Sequence, residues 1–236
     1  MVTVTSQERF KTQKGVFDEF THRNIFELVS RGFFDELVSP IFVGKESNVF
    51  MAKKGKKKII VKIYRVQNCD FKRMYAYIKK DPRYEFLKNK RREIIFSWVQ
   101  REYKNLIRAE RGGVRVPKVF ALKNHILVEE FIGEEEAAPP LKDAYPEDPG
   151  RFFRETVKQM KLLYRSGLIH GDLSAFNILN FKEKPVLIDF SQTTLVRTPN
   201  SEDLLKRDLN NILNFFKKLG VEEEFEKIFK EITEKK

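Results

Sequence analysis

IHGDLSAFNILN, at residues 169–180, is the stretch that decides the fold, and VLIDF follows it at 186–190. It supplies a carboxylate at Asp172, an amide at Asn177, and a second carboxylate, Asp189, at the end of an apolar run. The apolar runs at 178–181 and 186–188 predict two short strands. Phosphoryl transfer needs at least a base that accepts a hydroxyl proton and two oxygen ligands for a divalent cation.

The spacing of these residues is that of a protein-kinase catalytic loop. Asp172 and Asn177 have the Asp-x-x-x-x-Asn separation, and Asp189 stands where Asp-Phe-Gly carries its metal ligand. We expect His170 to support the loop through hydrogen bonds. Gly171 replaces the arginine of His-Arg-Asp, the usual partner of a phosphorylated activation loop. The pattern therefore predicts a phosphotransferase whose base works without activation-loop control.

The composition is that of a soluble globular protein with a heavily charged surface. Hydrophobic residues make up 41% of the 236 residues and charged residues 34%, enough for one large domain or two small lobes. No run approaches the length of a membrane span, and no apolar segment of a signal peptide follows the N-terminus. A single cysteine, Cys69, excludes an internal disulfide. We expect a cytoplasmic protein.

The formal net charge is +12, which leaves two interpretations open. Such an excess suits a polyanionic partner such as RNA, and it also suits a lysine-rich surface without a partner. The sequence has neither an aromatic ribonucleoprotein motif nor paired Cys/His fingers. Charge alone does not choose between the two.

The first half of the chain predicts a helix followed by strands. Thr21 or Asn24 can cap a helix that Gly32 closes, and a short turn follows at 35–37. This helix either packs on the first sheet or forms a partner surface. Two strands are predicted at 43–50 and 59–64, around a basic turn at 53–58. That turn is either a solvated loop or a contact for RNA phosphates.

Two residues out of character with their surroundings suggest an ion pair. Lys62 stands alone in a β-branched strand, and Glu102 lies on the apolar stripe of a helix predicted from Arg91 to Arg111. A carboxylate that faces a core needs a cationic partner. Lys62 and Glu102 would then form the Lys–Glu pair that positions ATP phosphates in kinases. The alternatives are an edge-strand lysine and a solvated glutamate.

The remaining elements follow in kinase order. Residues 67–90 show no clear structure, a hairpin at 114–132 turns at 123–124, and a polar linker extends to Gly150. Helices are predicted at 151–166, from about 201 to 219, and from about 222 onward. Only residues 190–236 remain after Asp189, and they contain no Ala-Pro-Glu. An activation segment and a peptide-binding subdomain need far more chain.

The predicted fold class is α+β, a two-lobed protein-kinase-like fold with a trimmed C-lobe that lacks the activation segment and peptide-binding helices. We predict an N-terminal helical segment at 1–38 packed on the N-lobe. The N-lobe would occupy 39–133, with a mobile loop at about 67–90, and the C-lobe 134–236. The glycine loop has one glycine, Gly44, so Lys45, Ser47 and backbone amides would supply the phosphate contacts.

With these residues in view, the chain resembles the RIO family of atypical serine kinases over nearly its whole length. The resemblance is carried by GKESNVF at 44–50, VKIYRV at 61–66, WVQREYKNLIRA at 98–109, VEEFIGE at 128–134, HGDLSAFNIL at 170–179, LIDFSQ at 187–192 and KRDLNNILNFF at 206–216. The DFK…YI…DPR…K segment at 70–90 and the N-terminal helical piece look like the first branch. The second branch carries a winged helix, for which there is no room before Gly44.

The resemblance implies a kinase that binds ATP and Mg²⁺ (or Mn²⁺). It implies that Asp172 is the general base and that Asn177 and Asp189 ligate the metal. Lys62, held by Glu102, would contact phosphates. The implied nucleotide-binding residues are Gly44, Lys45, Glu46, Ser47, Val49, Ile60, Lys62, Glu102, Glu130, Ile132, Leu179 and Ile188, of which Glu130 and Ile132 would bind adenine through their backbone.

The resemblance also implies a biological setting. Members of the family act in maturation of the small ribosomal subunit, so a pre-small-subunit particle and its rRNA are the expected partners, without membrane or DNA. A protein serine is a possible substrate. The missing peptide platform equally suits an ATPase-like switch in which Asp189 is transiently phosphorylated.

Two other functions remain open from the sequence. One is a different small His-Gly-Asp phosphotransferase, such as an aminoglycoside- or choline-type kinase or the small kinase of the tRNA-threonylcarbamoyl complex. These share His-Gly-Asp-x-x-x-x-Asn, so that motif cannot separate them. The other is a non-catalytic RNA-binding module that retains the fold.

Overall fold

A five-stranded sheet dominates the first part of the structure, a computed structural model that describes residues 17–66 and 69–234. Its strands are β1 (Glu36–Val43), β2 (Ser47–Lys54), β3 (Lys57–Tyr64), β4 (Val119–Lys123) and β5 (Ile126–Glu130). Their order is β1-β2-β3-β5-β4, and the β1–β2, β2–β3 and β3–β5 pairs are antiparallel. Strand β3, with its alternating β-branched residues, therefore lies at the centre.

Strand β1 was not predicted from the sequence. A turn was predicted at 35–37 and a strand at 43–50, whereas the structure has β1 at Glu36–Val43 and β2 at Ser47–Lys54. Pro40 and two irregularities in the β1–β2 register, at Leu37/Ser39 and Pro40/Phe42, break the two-residue alternation. The strand lies at the edge of the sheet, and most of its side chains are exposed. A strand without a buried face has no periodic signal.

Helix α1 (Glu19–Ser30) packs on this sheet. Its Ile25 and Leu28 are buried in the same core as Val61 and Ile126. Both predicted N-caps were wrong, because Asp18 caps the helix by accepting a hydrogen bond from the Thr21 amide at 2.7 Å, whereas Gly32 closes the helix as predicted, with a φ of +73°. Thr21 and Asn24 are instead buried in contacts with the β4–β5 hairpin: Thr21 Oγ1 lies 2.9 Å from His125 Nε2, and Asn124 Nδ2 donates to Asn24 Oδ1 at 2.7 Å.

Helices dominate the second part of the structure. They are α2 (Phe71–Ile78), α3 (Arg91–Arg111), α4 (Pro149–Arg165), α5 (Ser201–Lys217) and α6 (Phe225–Thr233), with a 3₁₀ turn at Pro82–Tyr84. Two small sheets accompany them. They pair β6 (Leu168–Ile169) with β9 (Thr194–Leu195), and β7 (Ile178–Asn180) with β8 (Pro185–Leu187). The two-residue strands β6 and β9 are too short for any sequence pattern.

The segment at 67–90 was predicted to lack regular structure, and this was wrong for much of it. Asp70 caps α2 by accepting from the Arg73 amide at 3.0 Å, and Asp81 precedes the 3₁₀ turn. Met74 and Ile78 bury one face of α2, which packs against α3. The helix is only eight residues long, so its apolar period repeats too few times to be recognised in the sequence. Residues 67 and 68 lie outside the described part, as do 1–16 of the predicted N-terminal segment.

The longer helices lie where their apolar periodicity predicts them. Helix α3 begins and ends at the predicted residues, and Gly112 caps it. Helix α4 begins at Pro149 after an Asp148 cap, slightly earlier than predicted. Helix α5 buries the predicted stripe of Leu205, Leu209, Ile212 and Phe216. Apolar stripes of four or more turns are the strongest local signal in a sequence.

The contacts divide the described chain into two compact units. The N-terminal unit comprises residues up to Cys69 together with Phe120–Glu130, and the C-terminal unit comprises Asp70–Val119 and Phe131 onward. The three-part domain division drawn from the sequence stays a prediction. Among residues 17–66 and 69–234, no helix has the length and apolar character needed to cross a bilayer.

Candidate active site

The predicted site residues fall in both units. The N-terminal unit carries Gly44, Lys45, Glu46, Ser47, Val49, Ile60, Lys62 and Glu130. The C-terminal unit carries Glu102, Ile132, Asp172, Asn177, Leu179, Ile188 and Asp189.

The loop at 170–177 is closed by Asn177. Its side-chain amide Nδ2 donates to the Asp172 carbonyl at 2.8 Å, and its own backbone N–H donates to Ser174 O at 2.9 Å. The Ile188 amide donates to Asn177 O at 3.0 Å, which ties the end of the next strand to the loop. Because Nδ2 is already used, Asn177 keeps Oδ1 as its acceptor. The loop, Asn177 and the segment that leads to Asp189 thus form one hydrogen-bonded group.

The Asp172 carboxylate is oriented and made more basic by its surroundings. Gln192 Nε2 donates to Asp172 Oδ2 at 2.9 Å. Burial raises the pKa of Asp172 above its usual value, and the neighbouring Asp189 charge raises it further, while Arg207 and Arg73 act in the opposite direction. A carboxylate with a raised pKa is a better proton acceptor, which is the property a general base needs.

Asp189 lies in a left-handed turn. Its φ is +61°, a conformation that aspartate adopts more readily than most side chains. The turn that follows is anchored by helix α3. Asn105 Nδ2 donates to the Thr193 carbonyl at 2.8 Å, and Arg101 Nε donates to the same oxygen at 3.1 Å. Both α3 side chains are fully buried. Helix α3 therefore sets the position of the residues that follow the predicted metal ligand.

Helix α5 holds the backbone on both sides of Asp172. The buried Asp208 accepts hydrogen bonds from the Gly171 amide at 2.7 Å and the Leu173 amide at 2.9 Å. Asn211 Nδ2 donates to Leu173 O at 3.1 Å, and Arg207 donates to Gly171 O. Burial raises the pKa of Asp208 to about 7, whereas the two amide bonds and Arg207 favour its ionised form.

Glycine is required at position 171 by its backbone conformation and by the lack of space for a side chain. Its φ is +77°, and a Cβ atom at this position would lie 2.9 Å from the Tyr77 hydroxyl and 3.0 Å from Gln192 O. Tyr77 belongs to α2, and its buried hydroxyl has no hydrogen-bond partner among the described residues. An arginine, as in His-Arg-Asp, would collide here. The glycine in the motif is thus a consequence of where α2 lies.

His170 supports the loop, which confirms the sequence prediction. Its Nε2 lies 3.0 Å from the Ile188 carbonyl and so must carry the proton that it donates. The ring packs edge-on against Phe190, with centroids 5.0 Å apart. Complete burial lowers the pKa of His170 to about 4, so the imidazole is neutral at pH 7. A neutral ring that contacts both the Ile188 carbonyl and Phe190 acts as a structural support.

Lys62 and Glu102 are both buried, as their sequence contexts predict. Glu102 is 1% exposed on α3, so the interpretation of a solvated glutamate was wrong. Lys62 is 7% exposed, and its Nζ lies 5.2 Å from the Tyr64 ring centroid. Because β3 lies between β2 and β5, the edge-strand interpretation was also wrong. The two residues belong to different units, and their pairing stays a prediction.

The loop between β1 and β2 needs its single glycine. The Gly44 amide donates to Ser47 O at 2.9 Å, and a Cβ on Gly44 would lie 2.9 Å from that oxygen and 2.8 Å from the Phe42 ring. Glu46 O accepts from the Arg65 amide at 2.9 Å, while the Lys45 side chain is exposed. The tight turn leaves Lys45 as its projecting cation. Contact of this loop with phosphates stays a prediction.

The remaining residues predicted to bind the nucleotide are apolar side chains and strand ends. Ile132 is buried in a small cluster with Ala138 and Val186, against which the half-buried Leu179 packs. Ile188 is also half-buried. In the N-terminal unit, Val49 and Ile60 are half-buried strand residues, and Glu130 ends β5. Their role in nucleotide binding stays a prediction.

The donor atoms fit magnesium better than a softer metal. Asp189 and Asn177 Oδ1 offer hard oxygen ligands, which Mg²⁺ prefers, and Mg²⁺ typically takes its remaining ligands from phosphates and water. Among the described residues, no cluster of three or more His, Cys, Asp or Glu side chains could hold a metal alone.

Comparison with known proteins agrees with this geometry. A family model described as the RIO domain matches residues 48–228. The chain belongs to the RIO family. Rio1 serine/threonine-protein kinases of Methanocaldococcus jannaschii and Haloferax volcanii are 41% and 37% identical to it over 97% and 96% of its length. The match covers 79% of each relative. The first-branch resemblance and the enzyme class, a RIO-type serine/threonine-protein kinase, are thereby confirmed.

Solved RIO structures confirm the fold class. The Rio2 kinase–ADP/Mg²⁺–phosphoaspartate complex of Chaetomium thermophilum superimposes with a TM-score of 0.68 at 24% sequence identity. That alignment covers 90% of this chain and 66% of the Rio2 chain. At this identity the similarity speaks for the fold alone. The mixed α/β architecture with its five-stranded sheet is a RIO kinase fold.

Several residues that build the site were missed from the sequence. They are Tyr77, Arg101, Asn105, Gln192, Arg207, Asp208 and Asn211. A signal existed for Asp208, because it lies three residues after Leu205 and four before Ile212 on the buried stripe of α5. The argument that identified Glu102 applies equally to Asp208. Asn105 carries a similar signal, because it lies three residues after Glu102 and four before Ala109 on the buried stripe of α3.

Proposed function

We propose that this RIO-family chain is an ATP- and magnesium-dependent serine kinase that acts in maturation of the small ribosomal subunit. The observation that carries the catalytic part is the preorganised Asp172. Its carboxylate accepts a hydrogen bond from Gln192, and the backbone on either side of it is tied to Asp208. A base held in this way loses little freedom when a substrate hydroxyl arrives.

The proposed reaction transfers the γ-phosphoryl group of ATP to a serine hydroxyl. Asp172 accepts the hydroxyl proton while the serine oxygen bonds to phosphorus and the bond to ADP breaks. Asn177 Oδ1 and Asp189 would hold Mg²⁺, which neutralises charge on the phosphates. His170 stays neutral and maintains the loop. In the N-terminal unit, Lys62 and the loop at Gly44–Ser47 are the proposed phosphate ligands.

An ATPase switch is a second candidate that uses the same residues. In it, the Asp189 carboxylate would attack the γ-phosphorus, ADP would leave, and water would then hydrolyse the acyl phosphate. The similar Rio2 kinase was solved as an ADP/Mg²⁺–phosphoaspartate complex. A phosphate on Asp189 would be released by hydroxylamine, whereas phosphoserine would survive it. That chemical difference separates the two reactions in one labelled sample.

The ribosomal part of the proposal is supported by charge. The formal net charge of +12 suits a particle whose surface is largely RNA phosphate. We propose the pre-small-subunit particle and its rRNA as partners, with a protein serine as the phosphate acceptor. Co-purification with ribosomal particles in the presence of ATP would support this setting. Phosphorylation of a small alcohol in preference to a protein serine would favour a different His-Gly-Asp phosphotransferase.

Asp172→Ala tests the catalytic proposal. Removal of the base should slow phosphoryl transfer about 100-fold or more, while ATP binding persists. Asp143→Ala is the matched control, because it removes an exposed carboxylate from the same unit. Transfer from radiolabelled ATP and nucleotide affinity are measured for both variants. Unchanged turnover in Asp172→Ala would remove Asp172 as the base.

A further inference from the structure

The hairpin between β2 and β3 ends in a concentration of positive charge. Five lysines surround Gly55, and we call Lys53–Lys58 the lysine hairpin. Lys53, Lys54, Lys56 and Lys57 are exposed, and Lys58 is half-buried. Gly55 has a φ of +58° and forms the tight turn. The charges therefore sit on a defined two-stranded ribbon.

The strand register sets like charges opposite each other. Lys53 pairs with Lys58, and Lys54 pairs with Lys57. Successive residues of a strand point to opposite faces, so the two pairs lie on opposite faces of the ribbon. Like charges directly opposite each other destabilise a hairpin. The lysine hairpin thus keeps two repulsive pairs in place of neutral or complementary ones.

The acidic residues next to the ribbon, Asp35 and Glu36, fix its position more than they neutralise its positive charge. Asp35 Oδ2 accepts from the Gly55 amide at 2.6 Å, and the Asp35 amide donates to Lys53 O at 2.6 Å. Glu36 lies opposite Lys53 in the β1–β2 register. In the register of the described strands, no acidic residue lies opposite Lys54 or Lys57. The structure holds the ribbon in place, and the exposed side chains of Lys54, Lys56 and Lys57 can be reached by a partner.

We infer that the lysine hairpin binds the phosphates of double-stranded RNA. The inference rests on the proposed RNA partner and assigns it a surface. A ribbon with cations on both faces matches the two phosphate rows that flank a groove, and counterion release drives such contacts. A lipid surface would meet one face only, and the hairpin from Lys53 to Lys58 has no apolar side chain to insert. RNA phosphates would also relieve both repulsive pairs.

The test compares two charge-matched triple variants. Lys54→Gln/Lys56→Gln/Lys57→Gln removes three exposed cations from the hairpin, and Lys217→Gln/Lys218→Gln/Lys230→Gln removes three exposed lysines from the C-terminal unit. Affinity for a short RNA duplex is measured over a range of salt concentrations. We expect the hairpin variant to lose at least about tenfold in affinity near 0.1 M salt and about 2 units of the log–log salt slope. The control should keep most of both.

The outcomes separate this inference from the proposed function. Equal losses in the two triple variants would overturn it, because total charge would then explain the binding. Hairpin-dependent binding to phosphatidylserine vesicles without an effect on RNA would also overturn it, as would equal binding of a DNA duplex. Serine phosphorylation is measured on the same samples: its absence in the wild-type protein counts against the proposed function, whereas absence of RNA binding counts against the hairpin.

Discussion

At the scale of single residues, position 171 requires glycine for two reasons: its backbone φ is positive, and there is no space for a Cβ atom. The positive φ excludes most side chains on energetic grounds, and the Tyr77 hydroxyl and Gln192 carbonyl fill the space where a Cβ would lie. The adjacent Asp172 depends on this geometry, because its backbone path is set by hydrogen bonds on both sides. A residue next to the predicted base thus determines how accurately that carboxylate is placed.

Gly171→Ala should destabilise the protein by about 2–3 kcal/mol, through the left-handed conformation and the overpacking together. Gly32→Ala is the matched control, since Gly32 has a φ of +73° but nothing within 4 Å of an added Cβ. It should cost about 1 kcal/mol, the conformational part alone. Free energies of unfolding in urea give both values. Equal losses at the two positions would contradict the steric part.

Addition of Tyr77→Phe to Gly171→Ala tests which atom causes the collision. It removes the hydroxyl and should restore part of the lost stability, while the Gln192 carbonyl still opposes the Cβ. The same urea measurement applies, with Tyr77→Phe alone as the reference. A double variant that is no more stable than the sum of the single changes would mean that Tyr77 does not limit this position.

At the scale of elements, helices α5 and α3 fix the backbone of the two segments that carry Asp172 and Asp189. Helix α5 supplies Asp208 and Asn211 to the backbone at 171–173, and helix α3 supplies Arg101 and Asn105 to the turn after Asp189. These buried side chains satisfy carbonyl and amide groups of irregular backbone, which otherwise cost free energy in a core. Both segments are short and irregular, so their fixed conformation depends on the helices that they contact.

The support from α5 should depend on pH. The pKa of Asp208 is raised from 3.8 to about 7, so the folded protein binds this proton more tightly than the unfolded chain does. Its contribution to the free energy of unfolding is therefore present at low pH and lost as the pH rises from about 4 to about 7. Asp208→Asn is neutral throughout and lacks this slope. We expect the stability of the wild type relative to this variant to fall across that range.

Urea unfolding at a series of pH values measures this difference. Asp203→Asn, an exposed change on the same helix, is the control and should run parallel to the wild type. If the difference between wild type and Asp208→Asn stays flat from pH 4 to 7, the two amide hydrogen bonds keep the carboxylate ionised even in acid. That result would assign Asp208 an ordinary or lowered pKa in the folded state.

At the scale of the whole molecule, the family relationship extends across both compact units. The RIO domain match at 48–228 includes most of β2, the strands β3 to β5 and the helices α2 to α5. The N-terminal unit has its core between α1 and the sheet, and the C-terminal unit carries the predicted base and the predicted metal ligands. A nucleotide that binds only the folded chain stabilises it, so nucleotide binding can be measured as a rise in melting temperature.

ADP with Mg²⁺ should raise the melting temperature by several degrees, because a ligand at 100 times its Kd adds about 2.7 kcal/mol to stability. Asp189→Asn should lose the part of the shift that requires Mg²⁺ and keep the part seen with ADP and a chelator. Asp143→Asn serves as the exposed control and should behave as the wild type. Thermal denaturation with and without Mg²⁺ measures both parts. A full Mg²⁺-dependent shift in Asp189→Asn would remove Asp189 as a ligand.

Much of the site could be predicted from the sequence because its signals are local. Asp172, Asn177 and Asp189 lie within one short segment, and their spacing is itself the motif. Helix α3 and the burial of Glu102 follow from a regular apolar stripe. Periodicity and spacing depend on neighbours in the chain, so these features need no knowledge of the fold.

The sequence by itself determined the motif: Asp172 and Asn177 within IHGDLSAFNILN, and Asp189 beyond it, are recognised by their spacing alone. Only the tertiary structure decided why Gly171 must be glycine, since Tyr77 comes from a helix almost a hundred residues earlier in the chain. It also decided that Asp208 supports the loop and that β1 forms the edge of the sheet. Each depends on contacts between segments distant in sequence. Such contacts arise from packing and hydrogen-bond satisfaction across the whole core, which no local pattern records.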